Sequence, residues 1–368
     1  MRRYLLCAII VIAVGALASA EEHPPTEDFR AELVVDDLDH PVQITSAPDE
    51  PDRLYVAERG GSVRVLHDRK LLGRELLDIS AVVHKKHPHG LLNIAFSPDY
   101  KTSRIFFAAY IDPQGDVNIA RFHHSDQESA DEDSMTIVIK LAQAFSNTHG
   151  AAIGFGRDGY LYVSWGDGGG PSEAIQAAQR LDSLFGKVLR IDVSKEGKYS
   201  VPSDNPFFSR PKSLPEIWAS GFRNPRHLSF DRKRGDLLVI DEGTRVTEMN
   251  SVNRGANYGW NILEGTSCVS QPCSLPDATS PIFTVSTAAS FVGGAVYRGT
   301  ALPQLEGSYI FADRVTGELF ASTQRSGTWQ PRRILSLPAQ SITALGEDST
   351  GEIMIGTLSG ELYKLTPR

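Results

Sequence analysis

The densest group of potentially reactive side chains in this chain is a short histidine-rich segment, His84-Lys-Lys-His87-Pro-His89-Gly. Imidazole nitrogens bind transition metals and exchange protons near neutral pH, and the two lysines add positive charge. On an extended segment, alternate residues such as His87 and His89 point to the same side. The segment therefore predicts either a metal or anion site or a solvated charged loop.

Two further reactive side chains, Cys268 and Cys273, lie close together in a turn-rich stretch. The intervening residues allow a small loop to close, so we expect a local disulfide rather than two free thiols. A zinc site is not expected, because no pair of histidines lies nearby. A bridge over so short a loop stiffens mainly the loop itself.

A repeated sequence pattern indicates the elements that position these side chains. A polar turn containing Asp precedes a run of alternating or β-branched residues, and a second turn and a second run follow. The first runs lie at 53–57, 104–108, 160–164, 236–240 and 352–356. The turn residues Asp231 and Asp348 are 117 positions apart, which leaves room for one more copy at 307–321.

Six such copies predict an all-β fold, a six-bladed β-propeller over residues 31–368, in which four-stranded sheets surround an axis. We expect residues 31–35 to close the ring by pairing with strands of the last copy. The alternative is a pair of β-sandwiches, although no linker divides the chain. One helix is expected over 172–184, with Ser172 as its N-cap.

The first 20 residues, MRRYLLCAIIVIAVGALASA, have the organisation of an export signal: a charged start, an apolar run and small residues at the end. An N-terminal membrane anchor is the alternative. We expect cleavage after Ala20, an N-terminal extension over 21–30, and a periplasmic or secreted protein with no stable membrane span. The net charge of −8 and the 41% hydrophobic content fit a globular protein and argue against nucleic-acid binding.

Several segments together resemble the glucose and sorbosone (aldose sugar) dehydrogenase family, six-bladed propellers that use pyrroloquinoline quinone. They are 90–100 (GLLNIAFSPDY), 154–162 (GFGRDGYLY), 166–168 (GDG), 184–192 (LFGKVLRID), 201–206 (VPSDNP), 215–225 (PEIWASGFRNP) and 257–260 (NYGW). Their order and spacing match from about residue 35 onward. The cysteine-containing loop and 293–299 (GGAVYRG) resemble the branch that includes hedgehog-interacting-protein-like ectodomains.

The resemblance implies oxidation of an aldose or a related alcohol, with hydride transfer from C1 to the quinone and electron transfer to an external acceptor. In the family a histidine acts as general base on the C1 hydroxyl, a task that suits the pKa of imidazole. The corresponding position in this chain is Thr148, so its neighbour His149 is the candidate catalytic base.

The resemblance also implies binding residues for two cofactors. Arg223 and Asn224 match family contacts to pyrroloquinoline quinone, and Asp167 is a candidate inward-facing polar group near that cofactor. Calcium, a hard cation that prefers carboxylate and carbonyl oxygens, is expected in the segment that leads to 257–260. The implied calcium ligands are Glu248, Tyr258 and Gly243.

Other family positions carry residues that could not make the family's contacts. These residues are Pro88, Thr316, Ala339 and Ser341, although Arg298, Arg314 or Arg332 could supply cations from other loops. Two functions therefore stay open: a quinoprotein sugar dehydrogenase, and a non-catalytic carbohydrate- or protein-binding propeller that has lost cofactor anchors. A calcium-dependent hydrolase or lactonase is a third, which no residue pattern specifically favours.

Overall fold

The computed structural model describes residues 28–86, 89–124, 130–142, 148–170, 176–269, 273–286, 290–325 and 328–368. The predicted export signal over 1–20, most of the extension over 21–30, and His87 and Pro88 lie outside these residues. Within the described part of the chain, no helix is long and apolar enough to cross a membrane.

The described residues form an all-β structure with one helix, α1 (Tyr100–Ser103), and two 3-10 turns, at Gln176–Gln179 and Pro303–Leu305. In chain order the strands are β1 (Phe29–Val35), β2 (Pro41–Thr45), β3 (Arg53–Glu58), β4 (Ser62–His67), β5 (Lys70–Leu71), β6 (Leu77–Asp78), β7 (Leu91–Phe96), β8 (Ile105–Ile111), β9 (Val117–His124), β10 (Ala130–Leu141), β11 (Gly150–Phe155), β12 (Leu161–Trp165), β13 (Lys187–Ile191), β14 (Ile217–Ser220), β15 (Pro225–Phe230), β16 (Leu237–Glu242), β17 (Val246–Ser251), β18 (Leu263–Glu264), β19 (Ser267–Cys268), β20 (Phe283–Ser286), β21 (Phe291–Val296), β22 (Tyr309–Asp313), β23 (Glu318–Arg325), β24 (Thr328–Ser336), β25 (Ile342–Glu347), β26 (Ile353–Thr357) and β27 (Leu362–Pro367).

These strands are grouped mainly into four-stranded antiparallel sheets. Four such sheets have the orders β10-β9-β8-β7, β11-β12-β13-β14, β15-β16-β17-β20 and β21-β22-β23-β24. A nine-stranded sheet has the order β1-β27-β26-β25-β2-β3-β4-β5, with β6 beside β4, and β18 pairs separately with β19. The strands follow one another as meanders, as the repeated pattern predicts.

Buried strands occur here as almost continuous apolar runs, because the sheets pack against each other on both faces. In β8, the sequence IFFAAYI is buried at six of its seven positions. One apolar cluster joins Phe107 of β8 and Ile119 of β9 to Val163 of β12 and Leu189 of β13, so it lies between two neighbouring sheets. The core is thus distributed between the sheets rather than gathered in one layer.

The strands β2, β7, β11, β15, β21 and β25 contact one another in a closed cycle and surround a central channel. The channel has a cavity volume of about 470 Å³. Strands β2 and β25 also pair in parallel, with Ile44 opposite Gly346. A Cβ at Gly346 would lie 1.9 Å from the carbonyl oxygen of Ile44, so this close approach requires glycine.

The prediction that residues 31–35 pair with the last copy is confirmed. Strand β1 lies antiparallel to β27, with Ala31 opposite Leu365 and Leu33 opposite Tyr363. The bonded pairing extends beyond the strand, since the Arg368 amide donates to the carbonyl of Asp28. This pairing covers an edge of the sheet that would otherwise be open to other strands.

The predicted helix over 172–184 is wrong in its described part, and Ser172 lies outside the described residues. Only the 3-10 turn Gln176–Gln179 forms there. The buried ammonium of Lys187 donates to the carbonyls of Ala177 and Ala178, which ends the turn and draws the chain toward β13. The disulfide prediction is confirmed, because Cys268 and Cys273 are bonded with a Cα–Cα distance of 5.9 Å.

Candidate functional site

Loops that precede neighbouring inner strands bring the candidate residues together at one end of the channel. His89 comes just before β7, His149 just before β11, and Asn224 just before β15. The channel at this end is lined by Arg59, Arg226 and Arg314, and we call it the arginine end. The three guanidiniums come from distant parts of the sequence and are assembled only by the ring of sheets.

His149 is buried at the arginine end, with 8% of its surface exposed. Its Nε2 atom has no hydrogen-bond partner among the described residues. Burial lowers the pKa of His149 to about 4, and the neighbouring His89, Arg226 and His84 lower it further. The imidazole is therefore neutral at pH 7, which is the form that accepts a proton.

The neighbouring Thr148 faces a different part of the structure. Its Oγ1 donates a 2.5 Å hydrogen bond to Oδ1 of Asp167. The carbonyls of Thr148 and His149 accept hydrogen bonds from the amides of Gly168 and Gly166, respectively. This turn fixes the backbone so that the threonine binds Asp167 while His149 lies against His89.

Asp167 is almost completely buried and joins three segments of the chain. Besides the bond from Thr148, its Oδ1 accepts the amide of Gly169 at 2.9 Å, and its Oδ2 accepts the indole Nε1 of Trp260 at 2.8 Å. Its own amide donates to the carbonyl of Arg223. Protein groups thus donate to both carboxylate oxygens, so Asp167 is placed to hold the segments of the site together.

Arg223 and Asn224 adjoin the site but are held by protein groups. The guanidinium of Arg223 donates to the carbonyls of Glu242 and Gly243 at 2.9 and 3.0 Å and lies 5.7 Å from the ring centre of Trp260. The amide group of Asn224 accepts from the Gly150 amide and donates to the Glu242 carboxylate. Neither side chain lines the central cavity formed by the described residues. Their cofactor contacts remain a prediction.

The arginines of the arginine end are residues that sequence reasoning largely missed. Arg226 pairs with Glu242 at 3.3 Å, and Arg314 donates to the hydroxyl of Ser290 at 3.3 Å. Burial lowers the pKa of Arg59 to about 10, and repulsion from Arg226 and Arg314 adds to this effect. Three guanidiniums and one carboxylate leave a net positive charge, so this end of the channel attracts anions.

The other predicted substitute cations and the described changed family positions make contacts outside the arginine cluster. Arg298 pairs with Asp231 at 2.5 Å. The Thr316 hydroxyl donates to Glu318, and the Ser341 hydroxyl donates to the carbonyl of Pro338, so both bonds are local. Of Arg298, Arg314 and Arg332, only Arg314 lines the channel among the described residues.

A pair of buried carboxylates lies beside this region, on β16 and β17. Asp241 and Glu248 are opposite each other in the sheet. Burial raises the pKa of both groups, and the charge of Glu248 raises that of Asp241 further. Glu248 accepts the Gly265 amide at 2.5 Å and the Asn250 side-chain amide at 3.2 Å. A bound cation would stabilise such a pair of charges.

Gly243 and Tyr258, the other two implied calcium ligands, both form hydrogen bonds with protein groups. The Gly243 carbonyl accepts a hydrogen bond from Arg223, while the Tyr258 hydroxyl donates to the carbonyl of Ser251. The structure thus brings Glu248 together with Asp241, which the sequence did not single out as a ligand. In the described residues, side-chain donors within 4.8 Å of one another occur as a group of three only at the exposed Asp52, His67 and Asp68.

The chain is similar in sequence to dehydrogenases and to Hedgehog-interacting proteins. The family model described as Glucose / Sorbosone dehydrogenase matches residues 38–363. The chain is 29% identical to the Hedgehog-interacting protein of Mus musculus, over 96% of this chain and 54% of that protein. It is 27% identical to the aldose sugar dehydrogenase YliI of Escherichia coli, over 92% of each chain.

A solved structure is similar in fold. The structure of the PQQ-bound form of aldose sugar dehydrogenase from Streptomyces coelicolor matches with a TM-score of 0.72 and 21% identity, over 94% of this chain and all of that chain. The chain spans between 31% and 54% of the length of the plant and animal relatives it matches.

Proposed function

This chain belongs to the Glucose / Sorbosone dehydrogenase family, and we propose that it is an exported quinoprotein sugar dehydrogenase. In this proposal it oxidises an aldose or a related alcohol and passes the electrons to an external acceptor. The aldose sugar dehydrogenase of Escherichia coli, similar over almost the whole chain, supports an oxidoreductase activity.

The proposed architecture is a six-bladed β-propeller. Its support is the cycle of six inner strands, each of which begins a group of about four antiparallel strands. On this interpretation the nine-stranded sheet contains two blades that meet where Ile44 pairs with Gly346. The channel along the axis is then the binding site, as is common for propellers.

The observation that carries the proposed function is the group of Arg59, Arg226 and Arg314 in the channel lining, with His149 buried outside the lining but close enough for Arg226 to lower its pKa. Pyrroloquinoline quinone is a tricarboxylate, and clustered guanidiniums bind carboxylates through charged, forked hydrogen bonds. Burial and repulsion from the other two arginines lower the pKa of Arg59, and a bound anion would offset this repulsion. The channel residues therefore fit this cofactor.

The chain's own residues would act in three ways. The arginines hold the carboxylates of the cofactor and thereby orient it. His149, neutral at neutral pH, would take the proton of the sugar C1 hydroxyl on its Nε2 atom, which has no hydrogen-bond partner among the described residues. Because this atom is buried, the ring must turn toward the channel to do so. Apolar lining residues such as Leu92 and Ile94 exclude water from the channel wall. When bound, pyrroloquinoline quinone supplies the oxidising chemistry that accepts the hydride.

Calcium fits the buried acidic pair next to the arginine end. We propose that Glu248 and Asp241 hold the ion, with backbone carbonyls such as that of Tyr258 completing the oxygen ligands. The pair is joined to Arg223 and Asn224, since the Asp241 carboxylate accepts hydrogen bonds from both of their backbone amides. The ion would thus stabilise the segment that forms one wall of the site.

The proposed location is the periplasm or the extracellular space. The signal-like sequence over 1–20 and the bonded Cys268–Cys273 pair support it, because disulfides persist in oxidising compartments. On this proposal residues 21–30 form an N-terminal extension that ends as β1 begins.

A second candidate function is a non-catalytic propeller that binds a carbohydrate or a protein. The specific observation in its favour is that Arg223 and Asn224, the residues matching family cofactor contacts, are both bound by protein groups. Similarity to the mouse Hedgehog-interacting protein over 96% of the chain also supports this alternative.

Reconstitution separates the two candidates. The purified protein is mixed with pyrroloquinoline quinone and Ca²⁺, and binding is measured by calorimetry, followed by dye-coupled oxidation of an aldose panel. We expect binding that Arg226→Gln weakens at least tenfold, whereas Arg232→Gln, at the opposite end of the channel, leaves it unchanged. We also expect His149→Ala to abolish turnover while His67→Ala does not. Absence of cofactor binding at micromolar concentration would exclude the dehydrogenase and favour the binding propeller.

A further inference from the structure

Three imidazole rings lie in a row from the buried base toward the surface. The ring centres of His149 and His89 are 5.2 Å apart, with an interplanar angle of 83°. Those of His89 and His84 are 4.6 Å apart, with an angle of 65°. His149 is buried, whereas His89 and His84 are both partly exposed. Two histidines of the histidine-rich segment, His89 directly and His84 through it, thus connect to the candidate base; His87 lies outside the described residues.

A buried base needs a way to release the proton it accepts. The Nε2 atom of His149 is inaccessible to solvent and has no hydrogen-bond partner among the described residues. In each catalytic cycle the proton taken from the sugar must leave before the next substrate can react. The groups that face His149 are two imidazoles, His89 and His84, and the Arg226 guanidinium from β15. All of them disfavour a lasting positive charge on His149.

We propose that His89 accepts the proton from His149 and passes it to solvent, and that His84 holds His89 in position. This inference rests on the proposed function. The His149 imidazolium transfers its Nε2 proton to Nδ1 of His89, while the Nε2 proton of His89 leaves to a water molecule or buffer base. Both imidazoles are neutral again at the end, so protons and charges balance.

The geometry permits this transfer. Nε2 of His149 and Nδ1 of His89 are both buried atoms. The ring centres are 5.2 Å apart in an edge-to-face arrangement, a separation at which rotation of the rings or one bridging water connects Nε2 of His149 to Nδ1 of His89.

His84 is anchored by its own backbone and side chain, which suits a positioning role. Its amide donates to the carbonyl of Ile111 at 2.8 Å. Its Nδ1 accepts the amide of Lys86 at 3.1 Å, which fixes the ring orientation. The turn continues with the amide of His89, which donates to the carbonyl of Lys86 at 2.9 Å. His84 and His89 are therefore held by the same turn, one ring edge against the other.

The first test measures turnover of the reconstituted enzyme as a function of buffer. His89→Phe keeps a planar ring but removes both ring nitrogens. We expect its kcat in dilute, non-imidazole buffer to fall on the order of tenfold, with little change in the KM for sugar. Added imidazole should restore kcat in a saturable way. His67→Phe, a change at an exposed histidine of β4, should show neither effect.

The second test needs no cofactor and no activity. The exchange of the His149 ring N–H with water is measured by nitrogen-edited NMR in the unloaded protein. We expect this exchange to be about tenfold slower in His89→Phe than in the wild type, and less strongly slowed in His84→Ala. Should the phenylalanine variant fail to fold by circular dichroism, His89→Gln takes its place.

The outcomes separate the two proposals. An exchange rate of the His149 N–H that is the same in the His89 variant and the wild type would overturn the exit path. A wild-type protein that neither binds the cofactor nor oxidises sugars would overturn the proposed function, while the exchange measurement would still decide the path. Loss of kcat without rescue by imidazole would also count against His89 as a proton acceptor.

Discussion

Asp167 and Trp260 are 93 residues apart in sequence, yet the indole nitrogen of Trp260 donates a 2.8 Å hydrogen bond to the Asp167 carboxylate. The same carboxylate binds Thr148, the neighbour of the candidate base. The tryptophan ring in turn lies near the Arg223 guanidinium. One buried carboxylate thus fixes the loop that carries His149 relative to the segments on either side.

Replacing Asp167 by asparagine is therefore expected to destabilise the protein. The amide that results has one acceptor oxygen, so it cannot satisfy the donors of Thr148, Gly169 and Trp260 together. We expect the free energy of unfolding, measured by urea denaturation, to fall by about 1–3 kcal/mol. Asp182→Asn, at an exposed carboxylate paired with Arg180, is the control. Equal urea midpoints for the two variants would contradict the role of Asp167.

Replacing Arg226 by glutamine should raise the pKa of His149. Burial is the largest cause of its low value of about 4, and the charge of Arg226 contributes in the same direction. Removal of this charge should therefore move the pKa part of the way toward 6.5, as measured by NMR titration. Arg232→Gln, at the far end of the channel, should leave it unchanged. A lower pKa in the Arg226 variant would contradict the arrangement at the arginine end.

The stability of the protein should depend on pH through Glu347. Burial raises its pKa from the ordinary 4.5 to about 7, and Asp348 and Asp231 add to this effect while Arg232 opposes it. A raised pKa in the folded state favours folding at low pH, and this contribution is lost as pH rises from 4.5 through 7.

Glu347→Gln, which lacks this titration, should gain stability relative to the wild type between pH 5 and pH 8. We expect a relative gain in the free energy of unfolding on the order of 1–3 kcal/mol. Glu196→Gln, at an exposed position, is the control. A difference between the Glu347 variant and the wild type that stays constant across this pH range would refute the prediction.

Calcium should stabilise the protein through the Asp241 and Glu248 pair. Saturation at a hundred times the dissociation constant corresponds to about 2.7 kcal/mol of stabilisation, which raises the Tm by a few degrees. We expect Glu248→Gln to remove most of this gain in a thermal melt with and without chelator. Asp277→Asn, at an exposed carboxylate, should retain it. A calcium effect of equal size in both variants would place the ion elsewhere.

The strands, and the pairing of the first strand with the last, were predictable because they follow from local sequence patterns. The alternation of apolar residues indicated β3 and β26 nearly residue by residue, and the short spacing of Cys268 and Cys273 indicated their bond. The helix over 172–184 was not predictable in the same way. The apolar residues Ala177 and Ala178 that suggested a helix are buried in a single 3-10 turn. The turn ends where their carbonyls accept hydrogen bonds from the Lys187 ammonium.

The charged part of the site was largely hidden from sequence reasoning for a different reason. Arg59 and Arg314 are 255 residues apart and follow strands in two different copies of the repeated pattern, so no local motif connects them. The only signal was a shortage of cations at family positions, which pointed to Arg314 among others. The spacing to the family turn indicated Thr148, whereas the geometry of the loop places the adjacent His149 against the other imidazoles.

The pairing of β1 with β27 has a consequence for how the protein is made. The bond between Arg30 and Thr366 joins positions 336 residues apart, among the largest separations in the chain. Contacts of such long range form late and slow the folding of a protein. Strand β1 cannot pair with β27 until residues 362–367 have been synthesised. During that interval β1 has an open edge, which leaves it exposed to pairing with strands of other chains.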